Sequence, residues 1–356
     1  MNFFLRISNK QIFLALIFLI FFKILFLFLY NLGIVKINLG GGSDANYYHQ
    51  YAIGEVDYST SIWPDILAGL NSIGLYSRDF ISYILFLLNL IIIPLLVCKI
   101  TNLKFHSNQK IYLYCILVIL VYPTLYFYSF DIYRDVFMVS SFLVGIFFAK
   151  KSLITNNFLF FLFYLFLAVG IGILLYKLRP YLGYAFLGSL LLWKIKFNKK
   201  RILILSFLYL IFLFIFNYLG LLDKLTEYRS NFEEDSGGST LGLNFSNPTI
   251  FIPNFILSML GQLFGLYITN PIAVFLFILE TIPFIYMLIY IIKNINYADS
   301  FIRFLIIFFV LYGSVWLIGN DNLGTAVRLR IFNYFAVYIC FFYILGLKNK
   351  LYKSRF

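Results

Sequence analysis

The chain has 356 residues, of which 62% are hydrophobic, 22% aromatic and only 12% charged, and its mean hydropathy is +0.90. This composition excludes a soluble domain with one buried core and indicates a polytopic, all-α membrane protein, a single integral-membrane domain over residues 1–356. The formal net charge of +13 is explained by the basic residues that membrane proteins carry on their cytoplasmic side, so it is no evidence of nucleic-acid binding. The three cysteines lie in apolar segments without metal-ligand spacing, which predicts small core residues rather than disulfides or a metal site.

Ten apolar runs approach the length of about 20 residues that a transmembrane helix needs. No run alternates apolar and polar residues as the strands of a membrane barrel do, so helices are expected throughout. The first run is too long for the apolar region of a signal peptide and lacks a small-residue cleavage site, so we expect it to be retained. The predicted spans cover residues 11–33, 80–98, 111–129, 135–149, 157–176, 181–195, 202–221, 271–292, 303–319 and 331–347.

The charged residues between these spans are distributed unequally between the two sides of the membrane. With the N-terminus in the cytoplasm, the cytoplasmic segments hold eighteen basic residues and one acid, whereas the opposite side holds nine basic residues and thirteen of the fifteen acids. The positive-inside rule therefore predicts a multi-pass protein with both termini in the cytoplasm.

The apolar run at 250–267 is left out of the ten spans. It follows Asn247-Pro248 and contains Pro253, Asn254 and Gln262, and counting it as a span would put the basic C-terminus outside. We therefore predict a re-entrant or interfacial helix. The alternative is eleven spans with the C-terminus outside.

Two ionisable residues fall inside predicted spans, Lys23 in the first and Glu280 in the eighth. Both lie about twelve positions from the cytoplasmic end of their span, and unpaired charge at that depth is costly, so we predict that they form an ion pair. The alternative is that the long side chain of Lys23 extends to the membrane interface.

The first predicted outer loop, residues 34–79, begins with glycines and continues Ser43-Asp44-Ala45-Asn46-Tyr47-Tyr48. This pattern predicts a short helix from about Asp44, with Ser43 as its N-cap and with Asp44, Tyr47 and Tyr48 on one side. A carboxylate beside aromatic faces suits sugar binding. The alternative is that Asp44 favours the helix N-terminus while the tyrosines form an interfacial belt.

Basic residues also occur on the predicted outer side, where the charge rule disfavours them. Forked guanidinium groups fit phosphate oxygens, which predicts an anion site at this membrane face. The alternative is that these residues neutralise nearby acids or extend to the interface. Arg179 and Arg328 have no acid immediately beside them and are the strongest candidates. The full set is Asp131, Arg134, Asp135, Lys177, Arg179, Asp321, Arg328 and Arg330, and Pro180 is expected to begin the sixth span.

A second outer loop, residues 222–270, starts with a mixed-charge segment up to 249 that includes Glu233-Glu234-Asp235-Ser236-Gly237-Gly238. This segment has the composition of a mobile loop that closes over a substrate, and equally of a solvated acidic surface. No Walker motif, GxGxxG, HExxH or paired Cys/His site occurs in the sequence, so neither nucleotide hydrolysis nor a bound metal or other cofactor is predicted, although a divalent metal is not excluded.

Many aromatic-rich spans with arginine-bearing outer loops resemble O-antigen polymerases of the Wzy type and, more broadly, multi-span glycosyltransferases that use polyprenyl-linked sugars. The Asp44 segment is similar to the acidic first outer loop of those glycosyltransferases. The resemblance implies a bacterial inner-membrane enzyme that joins polyprenyl-diphosphate-linked saccharide units at the periplasmic face. A chain-length regulator and a flippase are the partners that it implies.

On this resemblance Asp44 is the expected general base, with Asp135 as the reserve candidate. Tyr47 and Tyr48 are the expected sugar contacts. The expected substrate-binding residues near the diphosphate are Arg134, Lys177, Arg179, Asp321, Arg328 and Arg330. The alternatives are another glycosyltransferase that uses polyprenyl-phosphate sugars and, in a different class, a transporter or flippase of lipid-linked saccharide.

Overall fold

The computed structural model describes residues 7–35, 42–196, 198–234 and 240–353. Apart from an isolated bridge between Thr240 and Asn322, these residues form helices and connecting segments and no β-strand. The helices, with their π- and 3₁₀-helical turns included, are α1 Asn9–Asn31, α2 Gly42–Ala52, α3 Ile62–Ser72, α4 Arg78–Ile100, α5 Phe105–Val121, α6 Pro123–Phe127, α7 Arg134–Ile154, α8 Phe158–Leu178, α9 Pro180–Leu192, α10 Lys199–Tyr218, α11 Asp223–Glu234, α12 Pro248–Leu263, α13 Pro271–Lys293, α14 Ser300–Gly319 and α15 Leu323–Lys353.

Eight helices in the described ranges are long and apolar enough to cross a membrane, namely α1, α4, α7, α8, α10, α13, α14 and α15. A helix of 20 residues extends about 30 Å, which is the thickness of the apolar part of a bilayer. Each of the eight overlaps one of the ten predicted spans. The prediction of an all-α, polytopic membrane protein is therefore confirmed.

The two remaining predicted spans, 111–129 and 181–195, correspond to shorter apolar helices. A single helix over 111–129 is wrong, because α5 ends at Val121 and Tyr122 turns to an extended conformation, with ψ at 103°, ahead of Pro123. A residue before proline is sterically disfavoured from the helical region, which accounts for the break. In the second case α9 begins at Pro180, as predicted, and ends at Leu192.

The predicted re-entrant or interfacial helix at 250–267 corresponds to α12. It runs from Pro248 to Leu263 and is shorter than the eight long helices. Whether it lies in the interface or re-enters the membrane stays a prediction.

Side-chain caps fix where several helices begin. Ser8 and Gln11 form a reciprocal capping box at the start of α1. The side chains of Asn198, Asn270 and Asp299 accept hydrogen bonds from the first turns of α10, α13 and α14. These caps satisfy backbone N–H groups that have no partner inside a helix.

The described residues form two compact units. The first comprises those up to Lys150, residues 163–180 and those from Leu345 onward. In it α1 and the end of α4 pack against α5, and α2 packs against α3. The side chains of Leu67, Ile93, Val97 and Phe142 are fully buried in this unit.

The second unit comprises residues 151–162 and 181–344. In it α11 packs against α14, and α12 packs against α10 and α14. Every residue of α15 from Arg328 to Ile344 is buried, so this helix is covered on all sides.

Among the residues that the structure describes, three π-helical turns interrupt the apolar helices. They lie at Leu88–Ile92 in α4, Met259–Leu263 in α12 and Phe277–Thr281 in α13, and they carry the buried polar residues Asn89, Gln262 and Glu280 respectively. Such turns occur frequently at functional sites, which makes these residues candidates for chemistry.

Candidate functional site

The predicted short helix in the first outer loop is present as α2, Gly42–Ala52. Residues 36–41, with the glycines that precede it, lie outside the described residues, and so does the side chain predicted to cap it. Asp44 lies half-buried in its first turn. The N-terminus of the helix favours that carboxylate.

The tyrosines of α2 hold the following loop in place. The Tyr47 hydroxyl donates to the carbonyl of Tyr58 at 2.6 Å and accepts from the backbone N–H of Thr60 at 3.1 Å. The ring of Tyr48 is buried, with 3% of its surface exposed. Tyr47 thus has a structural role, and a sugar contact by either ring stays a prediction.

The half-buried Asp131 is paired with Arg78, a residue that the sequence analysis did not single out. Arg78 donates from Nε to one carboxylate oxygen at 2.9 Å and from Nη2 to the other at 2.6 Å. Its Nη2 also donates to Asn46 on α2 at 2.9 Å. The two-pronged geometry is the strong form of an arginine–carboxylate pair, and here it ties α2 to the segment before α7.

This ion pair also bears on the neighbouring Tyr76. Burial raises the pKa of Tyr76 to about 12, with the Asp131 carboxylate acting in the same direction and Arg78 opposing it. The Tyr76 hydroxyl is hydrogen-bonded to Nδ1 of His49 on α2 at 2.8 Å. At neutral pH the phenol is therefore protonated, and the contact joins α2 to the segment before α4.

Two further contacts fix the start of α7. Nε1 of the buried Trp63 on α3 donates to the carbonyl of Ile132 at 2.8 Å. The backbone N–H of Ile132 donates to the Asp131 carboxylate, also at 2.8 Å. The first contact joins α3 to the segment that leads into α7, and the second orders that segment.

Arg134, Asp135 and Arg179 lie near one another where α7 begins and α8 ends. Asp135 is fully buried in the first turn of α7. Arg134 donates from Nη1 to the carbonyl of Leu178, the last residue of α8, at 3.1 Å. Arg179 follows directly and is buried, whereas Lys177 is exposed. A buried carboxylate can take up a proton, and guanidinium groups can bind phosphate oxygens.

In the second unit Asp321 is fully buried and paired with Arg229 of α11, another arginine that sequence reasoning did not single out. Arg229 also donates to the carbonyls of Leu243 at 2.9 Å and Asn320 at 2.6 Å. The Asp321 carboxylate accepts from the backbone N–H of Gly242 at 2.9 Å. These bonds fasten α11 and the segment after it to the end of α14.

The predicted lid segment thus begins with an anchored helix. Residues 223–234 form α11, and the Glu233-Glu234 side chains and residues 235–239 lie outside the described part of the chain. Closure over a substrate stays a prediction for this segment.

Arg330 forms the other buried ion pair of the second unit. Its Nη2 lies 3.0 Å from Glu280 Oε2, and its guanidinium lies 5.3 Å from the Tyr334 ring. Gly265 lies against it with φ at +58°, and a Cβ there would come within 2.8 Å of Arg330 Nη1. Arg328, two residues earlier on the same helix, is also buried.

The predicted Lys23–Glu280 pair is therefore wrong. Glu280 is paired with Arg330, while Nζ of Lys23 lies 4.2 Å from the centre of the Tyr126 ring. Within the part of the chain that the structure describes, Nζ of Lys23 has no hydrogen-bond partner. Similar depth in two helices does not determine which residues meet, because the neighbours of each helix decide that.

The missed arginines, Arg78 and Arg229, had a signal in the sequence. Both lie on the predicted outer side, where basic residues are disfavoured, as Arg179 and Arg328 do. In the described ranges no group of three His, Cys, Asp or Glu residues has metal-binding geometry. No protein-family model, no curated protein and no solved structure matches this chain.

Proposed function

We propose that the protein is a membrane-embedded glycosyltransferase that joins polyprenyl-diphosphate-linked saccharide units. The observation that carries the proposal is the fully buried Asp135 beside Arg134, whose guanidinium reaches the end of α8, where Arg179 follows. Arginines are costly among apolar helices, and an intramembrane charge is by default a functional candidate. A lipid-linked diphosphate is a ligand whose negative charge compensates the positive charge of these arginines.

In the proposed reaction a hydroxyl of one saccharide attacks the anomeric carbon of another. The bond from that carbon to the diphosphate oxygen breaks, and polyprenyl diphosphate leaves with the electron pair. The hydroxyl proton passes to a carboxylate, for which Asp135 is the buried candidate and Asp44 the half-buried one. Arg134 and Arg179 stabilise the charge that develops on the diphosphate.

The remaining predicted substrate contacts are divided between the two compact units. Tyr47 and the exposed Lys177 belong to the first unit. Asp321, Arg328 and Arg330 belong to the second, where Asp321 and Arg330 already have carboxylate or guanidinium partners. We propose diphosphate contact first for Arg134 and Arg179, because Arg134 reaches the end of α8, where Arg179 follows, within one unit.

The test is binding of undecaprenyl diphosphate to the full chain in lipid nanodiscs. Arg179→Ala should weaken binding at least tenfold, and Arg201→Ala, which removes an exposed arginine, should leave binding within a factor of two. In the cells from which the sequence comes, Arg179→Ala should also shorten the surface polysaccharide. Unchanged affinity and unchanged polymer length for Arg179→Ala would contradict the proposal.

A transporter or flippase of lipid-linked saccharide is the second candidate. The Glu280–Arg330 pair on the π-helical turn of α13 favours it, because charged pairs and interrupted helices within spans are typical of transport sites. Proteoliposomes with a fluorescent lipid-linked saccharide distinguish the two classes. Transfer of the sugar to an acceptor supports the enzyme, and movement across the bilayer without transfer supports the transporter.

A further inference from the structure

Lys23 is a buried cation within the apolar helix α1. It lies eight residues before the end of the helix at Asn31, which is about 12 Å at 1.5 Å per residue. Only 4% of its surface is exposed. A charge at this depth requires a partner, and the ion pair with Glu280 does not form.

Tyr126 is the group that the structure places at this lysine. Nζ stands 4.2 Å from the centre of the ring, the arrangement of a cation–π contact. The Tyr126 hydroxyl donates to the Lys23 backbone carbonyl at 2.7 Å, which fixes the ring under the ammonium group. An ammonium group has three N–H donors, and none of them has an acceptor among the described residues. A bound ligand with hydrogen-bond acceptors would satisfy these N–H donors of the Lys23 ammonium group.

Irregular backbone builds this arrangement. The break at Tyr122 places Tyr126 on the short helix α6 instead of on a continuing α5. Ser129 Oγ then donates to the Tyr126 carbonyl at 2.5 Å. Asn89, on the π-helical turn of α4, donates to Ser129 Oγ at 3.4 Å. Helix breaks and π-helical turns cost backbone hydrogen bonds, and here both are linked through Ser129 to Tyr126, the residue that contacts the buried lysine, which indicates a built site.

The surroundings of the site specify a ligand with an apolar body. The rings of Phe26, Phe86 and Phe130 lie 4.7–6.2 Å from that of Tyr126. On either side of Lys23 along α1, Phe22 and Ile24 are exposed, as expected of a helix at the edge of the unit that faces lipid. A ligand suited to these surroundings has an apolar body for the rings and an anionic group for the ammonium group.

We propose that Lys23, over the ring of Tyr126, binds the phosphate group of a membrane lipid whose tail lies along the exposed face of α1. Phosphate is the anion that membrane lipids carry most widely, and its oxygens accept several N–H donors at once. The site is distinct from Arg134, Asp135 and Arg179, and it does not depend on the proposed glycosyl transfer. It serves equally for a phospholipid and for an isoprenoid phosphate.

The experiment measures lipid binding to the full chain in nanodiscs by native mass spectrometry. The probes are phosphatidylglycerol, undecaprenyl phosphate and the uncharged undecaprenol. Lys23→Met keeps the length of the side chain and removes the charge, and it should weaken binding of one or both phosphate lipids at least tenfold while undecaprenol binding stays unchanged. Weakening confined to phosphatidylglycerol identifies a phospholipid, and weakening confined to undecaprenyl phosphate identifies an isoprenoid ligand.

Three further variants serve as controls. Lys196→Met removes an exposed lysine and should leave all three affinities within a factor of two. Tyr126→Phe keeps the ring but removes the hydroxyl that fixes it, so it should weaken phosphate-lipid binding less than Tyr126→Leu, which removes the ring. Lys23→Met should not lower the thermal midpoint, because it removes a charge from an apolar site. Equal phosphate-lipid affinity of wild type and Lys23→Met would overturn the proposal, as would equal weakening by Lys196→Met.

Discussion

The buried pair between Arg229 and Asp321 should dominate the stability of the second unit. Asp321→Asn keeps the size of the side chain and removes its charge, which leaves the Arg229 guanidinium, with 2% of its side chain exposed, without the carboxylate. Removing one partner of a buried ion pair typically costs about 3–5 kcal/mol. If the unit follows the scaling of globular domains of similar size, each kcal/mol lowers the midpoint by about 2–4 °C. The expected fall is therefore about 6–20 °C.

The chain provides a matched control in the pair between Arg78 and Asp131. Its side chains are 32% and 18% exposed, so water screens the charges. Asp131→Asn should cost about 0–1 kcal/mol, which lowers the midpoint by no more than about 4 °C.

Both variants are measured by thermal unfolding of the purified full chain in one detergent, with hydrogen exchange in α11 as a local readout. Exchange in α11 should rise in Asp321→Asn, because Arg229 is the side chain that fastens that helix to the end of α14. Equal midpoints for the two variants, or unchanged exchange in α11, would refute the reasoning.

Three smaller perturbations test other contacts, two by the same thermal assay and one by amide exchange. Gly265→Ala adds a Cβ within 2.8 Å of a buried guanidinium at a φ of +58°, so it should lower stability by more than about 1 kcal/mol. In its control, Gly69→Ala on α3, the added Cβ meets nothing within 4 Å, so stability should rise by up to about 1 kcal/mol. Trp63→Phe leaves the buried carbonyl of Ile132 without its donor and should cost about 1–3 kcal/mol; a cost near zero would show that this bond does not hold the start of α7. Lys150→Met removes a buried cation that donates to the carbonyl of Ile100, the last residue of α4, and to the side chain of Asn102, so amide exchange should increase in residues 97–103; unchanged exchange would contradict this role.

Hydropathy and charge sorting predicted the fold class because the bilayer demands long apolar helices wherever the chain crosses it. The same pattern did not show the break between α5 and α6. Tyr122 and Pro123 lie in an apolar run, and hydropathy does not report the conformation that a proline imposes on the residue before it.

The candidate site could be predicted only in part. Arg134, Asp135 and Arg179 were identifiable because they flank spans on the side where basic residues are disfavoured. The partners of Asp321 and Glu280 were not identifiable, since Arg229 reaches Asp321 only after α11 has docked on α14. Such ion pairs depend on tertiary packing, which cannot be read from the distribution of charges between the two sides of the membrane.

The π-helical turn at Phe277–Thr281 divides α13 into two segments that differ in rotational phase. A π-turn accommodates one extra residue, and each residue advances a helix by about 100°. No residue of α13 before Glu280 is buried, whereas the consecutive Glu280 and Thr281 are both fully buried, and Phe284, Met287 and Ile291 continue the buried face. Deleting one residue within the turn should restore regular winding and turn Glu280 by about 100° relative to the segment that follows it. The single additional residue therefore sets the angular position of one charge relative to the buried face of that segment.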